Sequence, residues 1–220
     1  KRLPKGGYME SCCVLGAGNP FLGEWFDNYR YGLDVVSGDW NKVKITMFWG
    51  TACISTRVGD LIIPNSDAVG LMNGLNDTDF LFLLNYVLAT GSMVELSGIF
   101  GEESNKNRIA LLRRAAEMAY NGADVRYVQF DYRRQRIVMP KIIRCEVMQS
   151  AESTQGDRVI RIGVFNTEDE PTEICFTAQE AGIPAECVFT DWCSGRQTAV
   201  VEKYSCILGP HESRLYCVRA

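Results

Sequence analysis

The chain is poor in histidine. His211 is the only one among 220 residues, which removes Ser-His and Cys-His nucleophile pairs and most catalytic zinc sites. No two cysteines stand in a Cys-x-x-Cys spacing, so neither a zinc ribbon nor a thioredoxin-like redox pair is expected. Positive charge is never concentrated: basic runs do not exceed pairs such as Arg133-Arg134, and the formal charge is -4. Nucleic acid and anionic membrane surfaces therefore find no electrostatic footprint. Long apolar runs are missing as well. Stretches such as Phe80 to Leu84 fall far below the roughly 20 residues that span a bilayer, and no membrane-spanning segment is expected. Gly16-Ala17-Gly18 opens like a dinucleotide loop, but the third glycine is absent and Pro20 intervenes, which speaks against a nucleotide cofactor. No metal and no other cofactor is called for.

What is present is the balance of an ordinary globular protein, 46% hydrophobic and 23% charged, enough for one large or two small cores. Nine cysteines, an odd number with Cys12-Cys13 adjacent, do not form the even framework of a small secreted scaffold. Reduced thiols are expected, and with them a bacterial cytoplasmic location, with a secreted form as the alternative. Asn76-Asp77-Thr78 fits a glycosylation acceptor but sits where a helix should start. Lys1 opens directly on domain-like sequence, so the chain reads as an excerpt.

Periodicity divides the chain. From Ser11 to about Tyr120 short apolar runs alternate with helical stretches, the pattern of an α/β unit. Strands are expected at Ser11 to Leu15, Asn28 to Asp34, Leu61 to Ile63 and Met93 to Leu96. Helices are expected at Asn41 to Ser55 and Asp77 to Ala89, with a third capped by Ser104 whose stripe is Ile109, Leu112, Ala115, Ala116 and Ala119. After Asn121-Gly122 the helical period stops. Strands at Val159 to Phe165, Thr172 to Phe176, Cys187 to Thr190, Thr198 to Val201 and Arg214 to Val218, separated by Gly, Pro, Asp and Ser turns, read as an antiparallel sandwich.

Candidate chemistry gathers where strands end. Arg30 stands four residues before Asp34, and such a pair can hold a polar substrate while the carboxyl handles a proton. Each has a plainer role: Asp34 can cap a turn, and Arg30 can pair with Asp27 or Asp34. Trp25 and Trp40 can offer an aromatic face to a ligand or pack in a core. Asp67 can bond a substrate hydroxyl, orient Arg30 or cap the next segment.

The wording along the chain resembles melibiase-type α-galactosidases, the clan D glycoside hydrolases (family 36/27-like). Leu15-Gly16-Ala17-Gly18-Asn19-Pro20 resembles their Leu-Gly-Cys-Gly-x-Pro strand end, and Asp27-Asn28-Tyr29-Arg30-Tyr31-Gly32-Leu33-Asp34-Val35 their Asp-x-Met-Arg-Ile-Gly-x-Asp-Val. Leu61 to Asp67 and Gly91 to Ser97 resemble the next two strand ends. Val164 to Pro171, Phe189 to Gly195 and Leu208 to Leu215 resemble signatures of the C-terminal β-domain. Departures are Ala17 for cysteine, Pro64-Asn65-Ser66 for Asn-Asp-Pro, and Ser97-Gly98 for Ser-Asp.

The resemblance implies α/β plus all-β architecture: the C-terminal half of a (β/α)8 TIM barrel, strands five to eight, over residues 1–121, then an antiparallel β-sandwich over 122–220. It implies a retaining hydrolase cleaving terminal α-linked galactose or a related sugar, with Asp34 as acid/base and the nucleophile on an earlier strand outside this chain. Arg30, Gly16, Gly18, Asn19, Trp40, Asp67 and Trp25 become the substrate-binding candidates. The expected partner is an α-galactoside oligosaccharide or glycoconjugate. Half a barrel also leaves two strand edges to be covered, by another copy of the chain or by the rest of its own. The alternative function is a catalytically inactive carbohydrate-binding or scaffold protein descended from such an enzyme.

Overall fold

The structure is a computed structural model and describes residues 10–12, 28–33, 38–55, 63–67, 69, 74–96, 105–118, 123–130, 139–148 and 158–219. Strands β1 (Glu10–Ser11), β2 (Asn28–Arg30) and β3 (Ile63–Asn65) pair in parallel in that order. Parallel neighbours need a crossover between them, and helix α1 (Trp40–Ser55) lies between β2 and β3 in the chain. Of the strand expected at Leu61 to Ile63, Ile63 alone lies among the described residues, where it opens β3. In place of the one expected at Met93 to Leu96 there is a single parallel bridge from Asn65 to Met93. Pro64 accepts from the Met93 N–H at 2.8 Å but has no N–H to donate one step earlier in a ladder. One step later the chain turns away through Asp67 at φ 69.

Helix α2 (Asp77–Thr90) follows from its ends and its composition. The Asn76 side chain accepts from the Asp79 N–H at 2.8 Å, Asp77 and Asp79 complement the dipole of the first turn, and Gly91 at φ 60 closes the last turn on the Val87 carbonyl. The triplet that resembles a glycosylation acceptor is this cap. Every residue from Phe82 to Thr90 is buried, as a helix apolar on all sides requires. Tyr29 and Tyr31 from the β2 segment, Val43 and Met47 from α1, and Leu112 and Ala115 from α3 (Lys106–Met118) share its core. Ala116 of the expected α3 stripe is exposed, because the face that meets the core runs through Ile109, Leu112 and Ala115 and turns toward Leu111 and Met118; Ser104 and Ala119 lie outside the described residues.

The remaining strands are all antiparallel. They are β4 (Ala123–Val128), β5 (Ile142–Met148), β6 (Arg158–Phe165), β7 (Thr172–Thr177), β8 (Glu186–Asp191), β9 (Gln197–Val201), β10 (Lys203–Leu208) and β11 (Ser213–Arg219), with a short helix α4 (Ala178–Ala181) after β7. Their order is β4-β5-β6-β11-β8-β9-β10-β7. The pleat sends alternate residues to two cores: Ile143, Phe165 and Leu215 face α2, while Ile142, Ile162 and Val164 join Ile174, Phe176, Phe189, Tyr204 and Leu208 in the other. Beyond β4 the Gln129 amide donates to the Cys175 carbonyl of β7 at 3.2 Å. The sandwich is therefore one sheet folded over its own face, with its first and last strands in contact.

Strands β4, β5 and β10 and helix α4 are absent from the sequence reading. In β5 the charged Arg144 and Glu146 interrupt the apolar run on the face they share with Ile142. The strand expected at Thr198 to Val201 is β9, but β10 follows it after Glu202 alone, which takes a left-handed φ of 57 without glycine or proline to mark a turn. The seven cysteines described (Cys12, Cys145, Cys175, Cys187, Cys193, Cys206 and Cys217) are in the thiol form, and burial pushes the Cys145 thiol up to about 12.

Helix and sheet meet through polar contacts inside the apolar joint. Asn85 of α2 donates to Ser213 Oγ at 2.9 Å and accepts from the Trp192 indole N–H at 2.6 Å. Arg161 donates to the Leu88 carbonyl at 3.3 Å and to the Met118 carbonyl. Asn85→Ala should lower stability by roughly 1–3 kcal/mol for each buried group it strands. The expected measurement is a lower urea midpoint with an unchanged m-value; a midpoint equal to the parent's would show that the joint does not need this residue.

Candidate functional site

Arg30 and Asn65 are register partners at the ends of β2 and β3, so the two strands deliver a guanidinium and a carboxamide side by side. The pairing continues through the Tyr31 N–H, which donates to the Asn65 carbonyl at 2.8 Å. The Asn65 side chain then organises the turn beyond β3: its amide donates to Glu95 at 2.7 Å, and its oxygen accepts from the Asp67 N–H at 2.9 Å. This turn aims the Asp67 carboxylate at Arg30, with Nη1 and Oδ1 3.5 Å apart. Asn65 and Asp67 are buried, and Arg30 and Glu95 are half-buried. The group combines fixed donors with two acceptor-only carboxylates, a set that can hold a ligand rich in hydroxyls.

The segment leading on from Arg30 is clamped. A Cβ on Gly32 would lie 1.8 Å from the Ser66 carbonyl oxygen, so the β2 exit can cross the turn after β3 only with glycine there. The next N–H, of Leu33, donates to the buried Thr46 Oγ1 of α1 at 3.1 Å. Behind them the Tyr31 hydroxyl meets Ser92 Oγ at 2.8 Å, which meets Thr90 Oγ1 at 2.9 Å. Backbone contact and hydrogen bonds thus hold the chain up to the residue before Asp34.

Of the sequence candidates, the structure brings together Arg30 and Asp67. Asp34, Trp25, Gly16, Gly18 and Asn19 lie outside the described residues. Trp40 opens α1, meets Phe82 edge-on at 4.9 Å and stacks on His211 with ring centroids 3.8 Å apart. His211 places Nδ1 3.0 Å from Asp79 and Nε2 2.9 Å from Asp169, so the lone histidine links α1, α2 and the loop after β6. Asn65 and Glu95 escaped the sequence reading. Glu95 had a signal, as the one carboxylate in the otherwise apolar Met93-Val94-Glu95-Leu96; Asn65 was visible only as a departure from a motif. Among the described residues no group of three or more His, Cys, Asp and Glu side chains is placed for a metal ion.

No protein-family model and no curated protein sequence matches the chain. Solved structures do. The GH27 β-L-arabinopyranosidase of Geobacillus stearothermophilus superposes with a TM-score of 0.71 at 14% identity, over 97% of this chain and 50% of that one. The α-galactosidase I of Mortierella vinacea gives 0.62 at 10% identity, over 92% and 55%. An isomalto-dextranase of Arthrobacter globiformis T6 gives 0.60 at 15% identity, over 88% and 34%. The chain spans about half the length of the first of these. The likeness shows the fold: a mixed α/β unit joined to an antiparallel β-domain matching the C-terminal sandwich of GH27 enzymes.

Two outcomes are expected of this geometry. Gly32→Ala should destabilise by about 1–3 kcal/mol, because the added methyl meets backbone that cannot rotate away; an unfolding midpoint within error of the parent would show that the crossing can open. The second concerns acid. The hydrogen bond from His211 holds the Asp169 carboxyl below its ordinary value of 3.8, so its contribution to stability is fully present above that value and fades as the pH falls through the lowered folded value. Unfolding midpoints taken down through the carboxylate range should show less acid sensitivity in Asp169→Asn than in the parent, and identical profiles would remove the link.

Proposed function

We propose that this chain is the C-terminal part of a retaining glycoside hydrolase that cleaves terminal α-linked galactose or a related sugar. In this reading residues 1–121 form the last four strands of a (β/α)8 barrel and residues 122–220 its β-sandwich. The observation that carries it is the grouping of Arg30, Asn65 and Asp67 at the C-terminal ends of two adjacent parallel strands, with Glu95 just beyond the parallel bridge at Met93, in the kind of place where (β/α)8 barrels collect their catalytic groups. The GH27 fold likeness supports the same reading.

Asp34 is the acid/base. It comes directly after the clamp made by Gly32 and Leu33, and a second carboxylate from the rest of the longer protein attacks the anomeric carbon at a separation of about 5–5.5 Å. Asp34 first gives its proton to the departing glycosidic oxygen, then takes one from the water that cleaves the glycosyl-enzyme. Arg30, oriented by Asp67, holds sugar hydroxyls, and Asn65 and Glu95 complete that rim. Terminal α-galactosides are the substrate class, and a reducing bacterial cytoplasm suits the thiols.

In the full-length protein, Asp34→Ala should lose roughly 10²–10⁴-fold on natural α-galactosides, where leaving-group protonation matters. An activated aryl α-galactoside should still form the glycosyl-enzyme, and azide should rescue its turnover with retained configuration. A rate on natural substrates within a few-fold of the parent would overturn the role of Asp34. A parent inert on every α-glycoside that nevertheless binds galactose would favour the carbohydrate-binding descendant.

A further inference from the structure

A cleft of about 310 Å³ opens on the antiparallel domain, between the β8–β9 turn and strands β10 and β11. All its lining residues belong to the sheet and its turns, none to the strand-end cluster around Arg30. Its inner wall carries the hydroxyls of Tyr204 and Tyr216, 2.6 Å apart, whose rings each pack 5.1 Å from Phe189 in the second core. Burial raises both phenols above their ordinary value, so each keeps its proton at neutral pH. Arg214 and Asp191 stand beside them, with the exposed Arg196 and Thr198 and the smaller Ser194, Ser205 and Cys206 around the rest of the lining.

The charges in and behind this wall cancel. Glu212 takes Arg214 through Nε at 3.0 Å and Nη2 at 2.9 Å, leaving Arg196 to balance Asp191. A free anion or cation gains no net attraction from such a lining. A neutral polyol does gain, because every sugar hydroxyl both donates and accepts, and here guanidinium donors, a carboxylate acceptor and dual-role hydroxyls stand within one small concavity. The volume lies at the lower end of the range for small-molecule sites, which suits one or two sugar rings.

We infer that this cleft is a binding site for a neutral sugar unit, separate from the strand-end cluster. The lining chemistry alone carries the site, whether or not the chain is part of a hydrolase. The test is titration of the chain with galactose, glucose and maltose by calorimetry or saturation-transfer NMR, with glucuronate and glucosamine as charged controls. Neutral sugars should bind with a dissociation constant in roughly the millimolar range.

Thr198→Trp places a bulky side chain at an exposed strand position of the cleft and should weaken binding at least about tenfold, while Glu117→Gln, an exposed change on α3 away from both the cleft and the strand-end cluster, leaves it unchanged. Arg196→Ala, a truncation at an exposed position, should weaken it in the same direction and decides the matter if the tryptophan variant fails to fold. No binding below roughly 100 mM, or binding indifferent to the folded Thr198 variant or to Arg196→Ala, would overturn the site. A preference of about tenfold or more for either charged sugar would overturn its neutrality.

Discussion

Everything else in this molecule leans on the burial of α2. Each large apolar side chain taken from water contributes about 1.5–3 kcal/mol, and Phe80, Phe82, Leu83, Leu84, Val87 and Leu88 are all essentially inaccessible. One helix cannot achieve this alone, so α1 and the parallel strands must cover one side and the antiparallel sheet another. The polar cost is met locally: Asn85 joins Trp192 to Ser213 across the joint, and the Tyr86 hydroxyl donates to the Met47 carbonyl of α1 at 3.0 Å. The core around α2 therefore draws on residues from both sides of the change in periodicity.

That burial is also what aligns the strand ends. Tyr31 packs against the α2 core and reaches Ser92 just beyond its C-terminus, while Thr46 of α1 holds the Leu33 N–H. The position of Arg30 is thus set from behind by apolar packing and from the side by the crossing of Gly32 over Ser66. Polar groups placed on strand ends over a rigid core keep their geometry without relying on loop conformation. The same reasoning accounts for a fold shared with proteins only 10–15% identical in sequence: burial pattern, caps and close approaches can be satisfied by many side-chain sets of similar volume.

Much of this architecture was legible. The long apolar period of α2, its Asn76 cap and the run of turn residues after Gly156 announced a buried helix and an antiparallel domain. The pairing of Arg30 with Asp67 was among the readings open from sequence, and the run Arg30-Tyr31-Gly32-Leu33 of the recognised motif is the segment that the structure clamps. Illegible were β10, divided from β9 only by the left-handed Glu202; β5, whose apolar face is broken by Arg144 and Glu146; and the roles of Asn65 and Glu95, which depend on one parallel bridge.

The sequence by itself determined the element types, because periodicity, capping and turn chemistry act within a few residues and need no partner. Tertiary structure decided what meets across long separations: Asn65 with Glu95, His211 with Trp40 and Asp79, the segment after β4 with β7 at the far edge of the sheet, and the charge balance of the cleft beside Tyr204. The contacts of Asn65, His211 and the segment after β4 join residues dozens of positions apart, and no local pattern in the sequence announces them.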